Sequence, residues 1–231
     1  MTDFTQRAFI FDMDGTLVDN MRFHTRAWQK MLAENGVVMD ADEFLIKTAG
    51  KTNSEIIPGV FGPVSQERLK ALGDRKEELY RESFLPERKA IDGAVRFLEE
   101  SRRLGIKMAV ATSAPDENME FILDGLGLRR FFKAITTADD IKNGKPHPES
   151  FLTSAEKLGV SPALCLVFED ALNGFEAARR AGMRAIGITT VNPAEELLRL
   201  PSVVEARADF TELNPSEIIE KHLPDSRKAE V

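Results

Sequence analysis

The chain has 231 residues, enough to bury a sizeable core as one large domain or as a core carrying a smaller insert. With 42% hydrophobic and 30% charged residues it is ordinary for a globular protein, and a net charge of -7 without clustered Lys and Arg argues against a surface built for nucleic acid or anionic lipid. No apolar stretch approaches the roughly 20 residues that span a bilayer, and MTDFTQR is not a leader, so no membrane is expected and the cytoplasm is the default compartment.

Short apolar runs predict strands at Ala8 to Asp12, Lys107 to Thr112, Phe132 to Thr136, Leu164 to Phe168 and Arg184 to Ile188, with a weaker one near Ala208. Helical spacing lies between them. Val95, Leu98 and Leu104 mark one face; Met119, Ile122, Leu123 and Leu126 mark another, closed by Gly127; Phe151, Leu152, Ala155 and Leu158 mark a third, closed by Gly159. Strands apolar throughout and joined by crossover helices predict an α/β, Rossmann-like parallel sheet covered by helices on both faces. Cys165, in LCLVF, reads as a buried small hydrophobe with no catalytic part.

The register breaks once, where Met21 to Leu85 read almost entirely as helix: MRFHTRAWQKMLAENGV, ADEFLIKTAG, NSEIIPGVF and SQERLKALGDRKEELYRESF. The chain is therefore divided into a discontinuous core, residues 1–18 and 87–231, and an inserted all-helical cap domain, residues 19–86. Its connections leave after Asp14 and return near Pro86 to Asp92, where a lid would hinge. The end, DSRKAEV, reads as a solvated tail.

Ligands of open α/β sheets bind beyond the carboxyl ends of the strands, so the residues there are informative. FIFDMDGTL delivers Asp12 and Asp14, KMAVATSAP delivers Thr112 and Ser113, LCLVFED delivers Glu169 and Asp170, and Lys145 precedes the third helix in NGKPHPES. Carboxylates gathered at one edge repel, and a hard divalent cation resolves this; Mg²⁺ takes one or two carboxylates, several waters and a substrate phosphate. Asp12 and Asp170 are the natural direct ligands, while Thr112 and the N-H groups after it suit phosphoryl oxygens, with Lys145 neutralising further charge. Asp12 is placed to attack phosphorus, and Asp14 to protonate the leaving group and then take a proton from the incoming hydroxyl.

Taken together, Asp12-Met13-Asp14-Gly15-Thr16-Leu17-Val18-Asp19, Thr112-Ser113, Lys145-Pro146 and Glu169-Asp170 with Asn173-Gly174 resemble the four motifs of the haloacid dehalogenase (HAD) superfamily, in its β-phosphoglucomutase-like branch with a helical cap. The resemblance implies a Mg²⁺-dependent phosphotransferase with Asp12 as nucleophile and metal ligand, and Asp14 as acid/base and ligand through its carbonyl. Asp170 would be a metal ligand, and Glu169 would assist at the metal. Asp19 followed by His24, Ala27 and Trp28 is also similar to β-phosphoglucomutases, whose equivalent histidine lies at the cap hinge. Those mutases carry a cap-loop arginine for the sugar's second phosphate; here Ala49-Gly50-Lys51-Thr52-Asn53 has Asn53 at that place, with Lys51 as a point-charge substitute.

Each residue has a plainer reading. Asp12 and Asp14 would also serve as a turn and cap, Glu169 and Asp170 as acids at a helix N-terminus, and Lys145 as a surface lysine. His24 is either a substrate-side group or a half-buried packing residue, Lys51 and Asn53 either substrate contacts or surface loop; Trp28 is read as core, His147 and His222 as structural or exposed. The leading expectation is a phosphatase of a small phosphorylated metabolite, a sugar phosphate or similar monoester, acting as a monomer by default. A β-phosphoglucomutase-type phosphomutase is the alternative. A binding module that has lost its chemistry, or a dehalogenase, would leave the acids without purpose.

Overall fold

A computed structural model describes residues 4–38, 40, 44, 48 and 51–224. The strands are β1 (Ala8–Phe11), β2 (Lys107–Ala111), β3 (Ala134–Thr136), β4 (Cys165–Glu169), β5 (Arg184–Ile188) and β6 (Val203–Arg207). They form one six-stranded sheet in the order β3-β2-β1-β4-β5-β6, parallel at every pairing. The helices are α1 (Met21–Glu34), α2 (Asn53–Phe61), α3 (Gln66–Phe84), α4 (Ala94–Arg103), α5 (Asp116–Leu123), α6 (Glu149–Leu158), α7 (Leu172–Arg180), α8 (Ala194–Leu197) and α9 (Pro215–His222). Among the described residues no helix is long and apolar enough to cross a membrane.

The two-residue period of the strands sorts their side chains onto two faces. Phe9, Phe11, Val110, Phe168 and Ile186 enter one apolar layer with Phe97 of α4 and Phe210, while Ala8, Ile10, Ala109, Val167 and Ala185 enter another with Phe151 of α6 and Phe175 of α7. The first layer is dense in aromatic contacts: Phe11 stacks on Phe168 with ring centroids 4.6 Å apart, and Phe9 stacks on Phe97 at 5.5 Å. It continues into the insert, where Phe23, Trp28 and Met31 of α1 pack with Leu72, Leu79, Tyr80 and Phe84 of α3. The insert's exit and return lie side by side, since Ile91 N donates to Leu17 O at 2.9 Å.

Several expected bounds move. β1 and β2 stop one residue short of Asp12 and Thr112, β3 begins at Ala134, β4 runs from Cys165 through Glu169, and the last strand is Val203–Arg207, before Ala208. Val95 and Leu152, expected on buried helix faces, are both 39% exposed. Ala94, Phe97, Leu98 and Ser101 form the buried stripe of α4; Val95, one residue after Ala94, is turned about 100° around the axis from it. Asn53 is the first residue of α2, between the N-cap Thr52 and Glu55, which form a capping box, and is not in a loop. The helix expected over ADEFLIKTAG falls outside the described residues except at Phe44 and Thr48, which are helical, and the tail DSRKAEV falls outside them altogether.

Candidate active site

From β1 the chain proceeds outward to β2 and β3, then returns to place β4 on the other side of β1. The carboxyl ends of β1 and β4 are therefore the switch point of the sheet, where strand-to-helix connections diverge and leave a crevice. Asp12 follows β1 and stays joined to β4 through its N-H, which donates to Phe168 O at 2.9 Å; Glu169 ends β4 and Asp170 follows it. All three are buried, and one oxygen from each falls within 4.8 Å of the others.

Lys145 enters this cluster from the loop before α6, donating to Asp12 Oδ1 at 2.6 Å and to Glu169 Oε2 at 2.8 Å. It is 1% exposed, so it is not the surface lysine of the plainer reading. The turn after Asp12 presses against the same cluster. Gly15 has φ +85°, and a Cβ there would stand 2.1 Å from Asp170 Oδ2, so glycine is required for both conformation and space. Thr16 Oγ1 donates to Asp170 Oδ1 at 3.2 Å, and Glu169 Oε1 accepts the Ala171 N-H at 3.2 Å, which gives that acid a cap-like role as well. Thr112 is buried, with Oγ1 accepting from Ala114 N at 3.1 Å, so its hydroxyl proton is available to another acceptor; Ser113 lines the cleft beside it.

Asp14 turns its side chain the other way, toward the insert, and gives no side-chain oxygen to the buried cluster. Its Oδ1 accepts from Asn20 Nδ2 at 2.5 Å, and Asn20 also reaches the Tyr80 hydroxyl at 2.6 Å. His24 Nε2 lies 3.4 Å from the same oxygen, and the imidazole stacks on Tyr80 with centroids 3.8 Å apart. Behind it, Lys76 Nζ is 2.8 Å from His24 Nδ1. An ammonium cannot accept, so Nδ1 must, which places the neutral ring's proton on Nε2, facing Asp14. Lys76 also donates to Glu77 Oε1 at 2.9 Å and Oε2 at 3.1 Å, and Glu77 accepts from Asn53 at 2.7 Å and from Asn118 of α5 at 2.6 Å.

Electrostatics separates the two aspartates. Burial, then repulsion from Glu169, pushes Asp12 well above the ordinary carboxylate range despite Lys145; burial with Glu169 and Asp12 does the same to Asp170. For Asp14 burial acts in the same direction, but His24, Asn20 and Lys76 outweigh it and hold the carboxyl below its usual range. Lys145 is pushed up by Asp12 and Glu169 against the opposing effect of burial.

The residues fit a hard divalent cation. Asp170 Oδ2 is buried without a hydrogen-bond partner, and burial with mutual repulsion disfavours ionisation of Asp12 and Asp170 in a way a metal would reverse. Sequence reasoning included Thr16 only as a member of the first motif, without a role, and did not reach Asn20, Lys76, Glu77, Tyr80 or Asn118. A signal existed for one of them: Lys76 follows Leu69 and Leu72 and precedes Leu79 on the apolar stripe of α3, where a charge needs a partner. Of the cap residues that were expected, Asn53 faces the cleft through Glu77 and Lys51 stands exposed at its rim, while His147 is exposed beside Glu149 and His222 is buried against Glu205.

The family model described as haloacid dehalogenase-like hydrolase matches residues 6–182. The chain is 36% identical over 185 residues to the fructose-1-phosphate phosphatase YqaB of Escherichia coli (strain K12), covering 78% of this chain and 95% of that one. It is 30% identical over 207 residues to the validoxylamine A 7'-phosphate phosphatase of Streptomyces hygroscopicus subsp. limoneus, covering 90% and 95%. Among solved structures, the β-phosphoglucomutase of Clostridium difficile superposes with a TM-score of 0.82 at 28% identity, covering 94% of this chain and 96% of that one.

Proposed function

This chain belongs to the haloacid dehalogenase-like hydrolase family as a phosphoric monoester hydrolase, and from that premise we propose that it is a Mg²⁺-dependent phosphatase of a small sugar or sugar-like phosphate, working through an aspartyl phosphate on Asp12. The observation that carries the reading is the split between the two aspartates: Asp12 lies with Lys145 and the metal-type acids, while Asp14 faces the same cleft with His24 and Asn20. Magnesium held by Asp12 and Asp170, with Glu169 assisting, would neutralise the buried acids and the phosphoryl oxygens.

Lys145 has three protons and donates two of them to Asp12 and Glu169, so the third is left for a phosphoryl oxygen. Thr112 donates its hydroxyl proton to another. Asp12 Oδ2, the oxygen that Lys145 does not hold, attacks phosphorus in line with the ester oxygen, forming one P-O bond as the other breaks. Asp14 gives a proton to the departing oxygen; because, against burial, His24, Asn20 and Lys76 hold its carboxyl ionised in the free site, it first takes that proton up from water or from the monoanion of the phosphate ester. The ionised Asp14 then takes a proton from water as it attacks the aspartyl phosphate, returning Asp12 and releasing phosphate. The helices of residues 19–86 act as a cap that excludes bulk water during the first step. A phosphomutase is the second reading, favoured by the likeness to a β-phosphoglucomutase; it would return the phosphoryl group to sugar.

Incubating the protein and Mg²⁺ with a panel of phosphorylated sugars, polyols and other metabolites, and reading free phosphate and isomerised sugar phosphate in parallel, tests this. Phosphate release from one substrate class, abolished by EDTA, is expected. Asp12→Asn should reduce it by at least about a thousandfold, as loss of a nucleophile does. Isomerisation with little free phosphate would establish the mutase, and an active Asp12→Asn variant would remove Asp12 from the chemistry.

A further inference from the structure

The loop between β5 and α8, residues 189–193, carries no part of the proposed chemistry, yet two of its side chains are bonded into the loops that hold the acids. Thr190 Oγ1 is 2.6 Å from Gly15 O, and Asn192 Nδ2 is 2.8 Å from Asp170 O. Both partners are backbone carbonyls, which only accept, so Thr190 and Asn192 are the donors. We propose that Thr190 and Asn192 are positioning residues that hold the Asp14-to-Thr16 turn and the Asp170 loop at the separation a divalent cation needs, before the cation arrives. The inference rests on the Mg²⁺-dependent phosphatase reading and extends its site to the loop after β5.

The strand order makes this reach possible. β1, β4 and β5 are neighbours in the sheet, and Glu169 at the end of β4 stands opposite Gly187 of β5, so the loop that leaves β5 after Ile188 lies beside the Asp170 loop and extends past it to the turn after β1. Each bond fixes a planar peptide. In the Asp170-Ala171 peptide the carbonyl is held by Asn192 and the N-H by Glu169 Oε1 at 3.2 Å, so the orientation of one plane bears on both the Glu169 carboxylate and the backbone that carries the Asp170 side chain. In the Gly15-Thr16 peptide the carbonyl is held by Thr190, and Thr16 donates through Oγ1 to Asp170 Oδ1, while Oδ2 stays without a partner. The two bonds therefore converge on Asp170. The loop is itself anchored: Thr189 N donates to Arg207 O of β6 at 2.9 Å, and the fully buried Leu197 of α8 lies against Gly187, where a Cβ would stand 2.7 Å from Leu197 Cδ1. Such a tie has a purpose, because Asp12, Glu169 and Asp170 bring one oxygen each within 4.8 Å of the others, and charges of one sign at that spacing push apart the loops that carry them. Loops held together beforehand spare the cation the cost of ordering its own site.

The test titrates EDTA-stripped protein with Mg²⁺ in a calorimeter, without substrate, for the unaltered chain and for Thr190→Val, Asn192→Ala and Thr190→Ser. Groups that orient metal ligands carry about ten- to a hundredfold of affinity, so Thr190→Val and Asn192→Ala should each raise the Mg²⁺ Kd by about tenfold. Thr190→Ser keeps the hydroxyl and should keep a Kd close to that of the unaltered chain; a Kd as weak as that of Thr190→Val would assign the effect to packing and overturn the positioning role of Thr190. Loss variants that fold and bind Mg²⁺ as the unaltered chain does, whatever their Tm, overturn the inference and leave the phosphatase reading standing. Should neither loss variant fold, amide hydrogen exchange of the unaltered chain decides: residues 12–17 and 169–173 should be protected already in the stripped protein, and protection that arises only with Mg²⁺ overturns the inference. An unaltered chain that binds no Mg²⁺ overturns the metal dependence and the inference with it.

Discussion

Gly174 stands in the first turn of α7, and a Cβ on it would meet Glu169 Cδ at 2.1 Å and Oε1 at 2.3 Å. No positive φ is involved, so space alone requires glycine there. Gly174→Ala must therefore displace the Glu169 carboxylate or the helix that carries Ala171, at a cost of about 1–3 kcal/mol for an overpacked site. The expected outcome is a lower Tm together with weaker Mg²⁺ binding, read by thermal melts with and without the ion; a fall in Tm with unchanged Mg²⁺ affinity would show that Glu169 is not part of the metal site. Gly15 makes the parallel contact with Asp170 from the other side of the crevice. The DMDGT stretch was legible because its parts are local: two acids, a turn that demands glycine, and a strand behind them. The glycine of Asn173-Gly174 was legible only as a motif, since the approach of Glu169 from the end of β4 depends on how the β4-to-α7 turn folds back and not on a period within either element.

The edge of the sheet shows how elements are joined by charge. Glu205 on β6 accepts from His222 Nε2 at 2.9 Å and Lys221 Nζ at 3.1 Å, both at the end of α9, and pairs with Arg207. Burial opposes its ionisation, but His222, Lys221 and Arg207 hold its carboxyl below the ordinary range. A folded pKa below the unfolded one means that this stabilisation is fully present above the unfolded pKa and is lost as pH falls through the folded value. Glu205→Gln should therefore cost about 1 kcal/mol at neutral pH, or roughly 2–4 °C in Tm for a chain of this size, and progressively less in acid. A Tm difference between the two proteins that stays constant down to pH 3 would exclude the linkage. Helix phase was only partly legible at this level. The stripe of α3 could be drawn from its leucines, but the partner that makes a buried Lys76 tolerable comes from α1 and from its neighbour Glu77.

A cation in the acidic cluster would link its binding to folding of the whole chain, because burial and mutual repulsion oppose ionisation of Asp12 and Asp170. Magnesium at a hundredfold excess over its Kd should stabilise the native state by about 2.7 kcal/mol, or roughly 5–11 °C in Tm. Asp170→Asn should flatten that response. A Tm indifferent to Mg²⁺ and EDTA would remove the metal from the proposal. The sequence by itself determined the parallel α/β core, the family, and the acids, hydroxyl and lysine at the strand ends, because strand and helix periods and the chemistry of tight turns are written over a few consecutive residues. Only the tertiary structure decided what the insert brings to the cleft. Asn20, the adjacent pair Lys76 and Glu77, and Asn118 lie on three different segments, with Glu77 and Asn118 separated by 41 positions, and only Lys76 stands out in a local pattern. Their meeting depends on how α1 and α3 pack together and how α3 meets α5, and the contact of polar groups across packed elements is set by that packing and not by any period within one element.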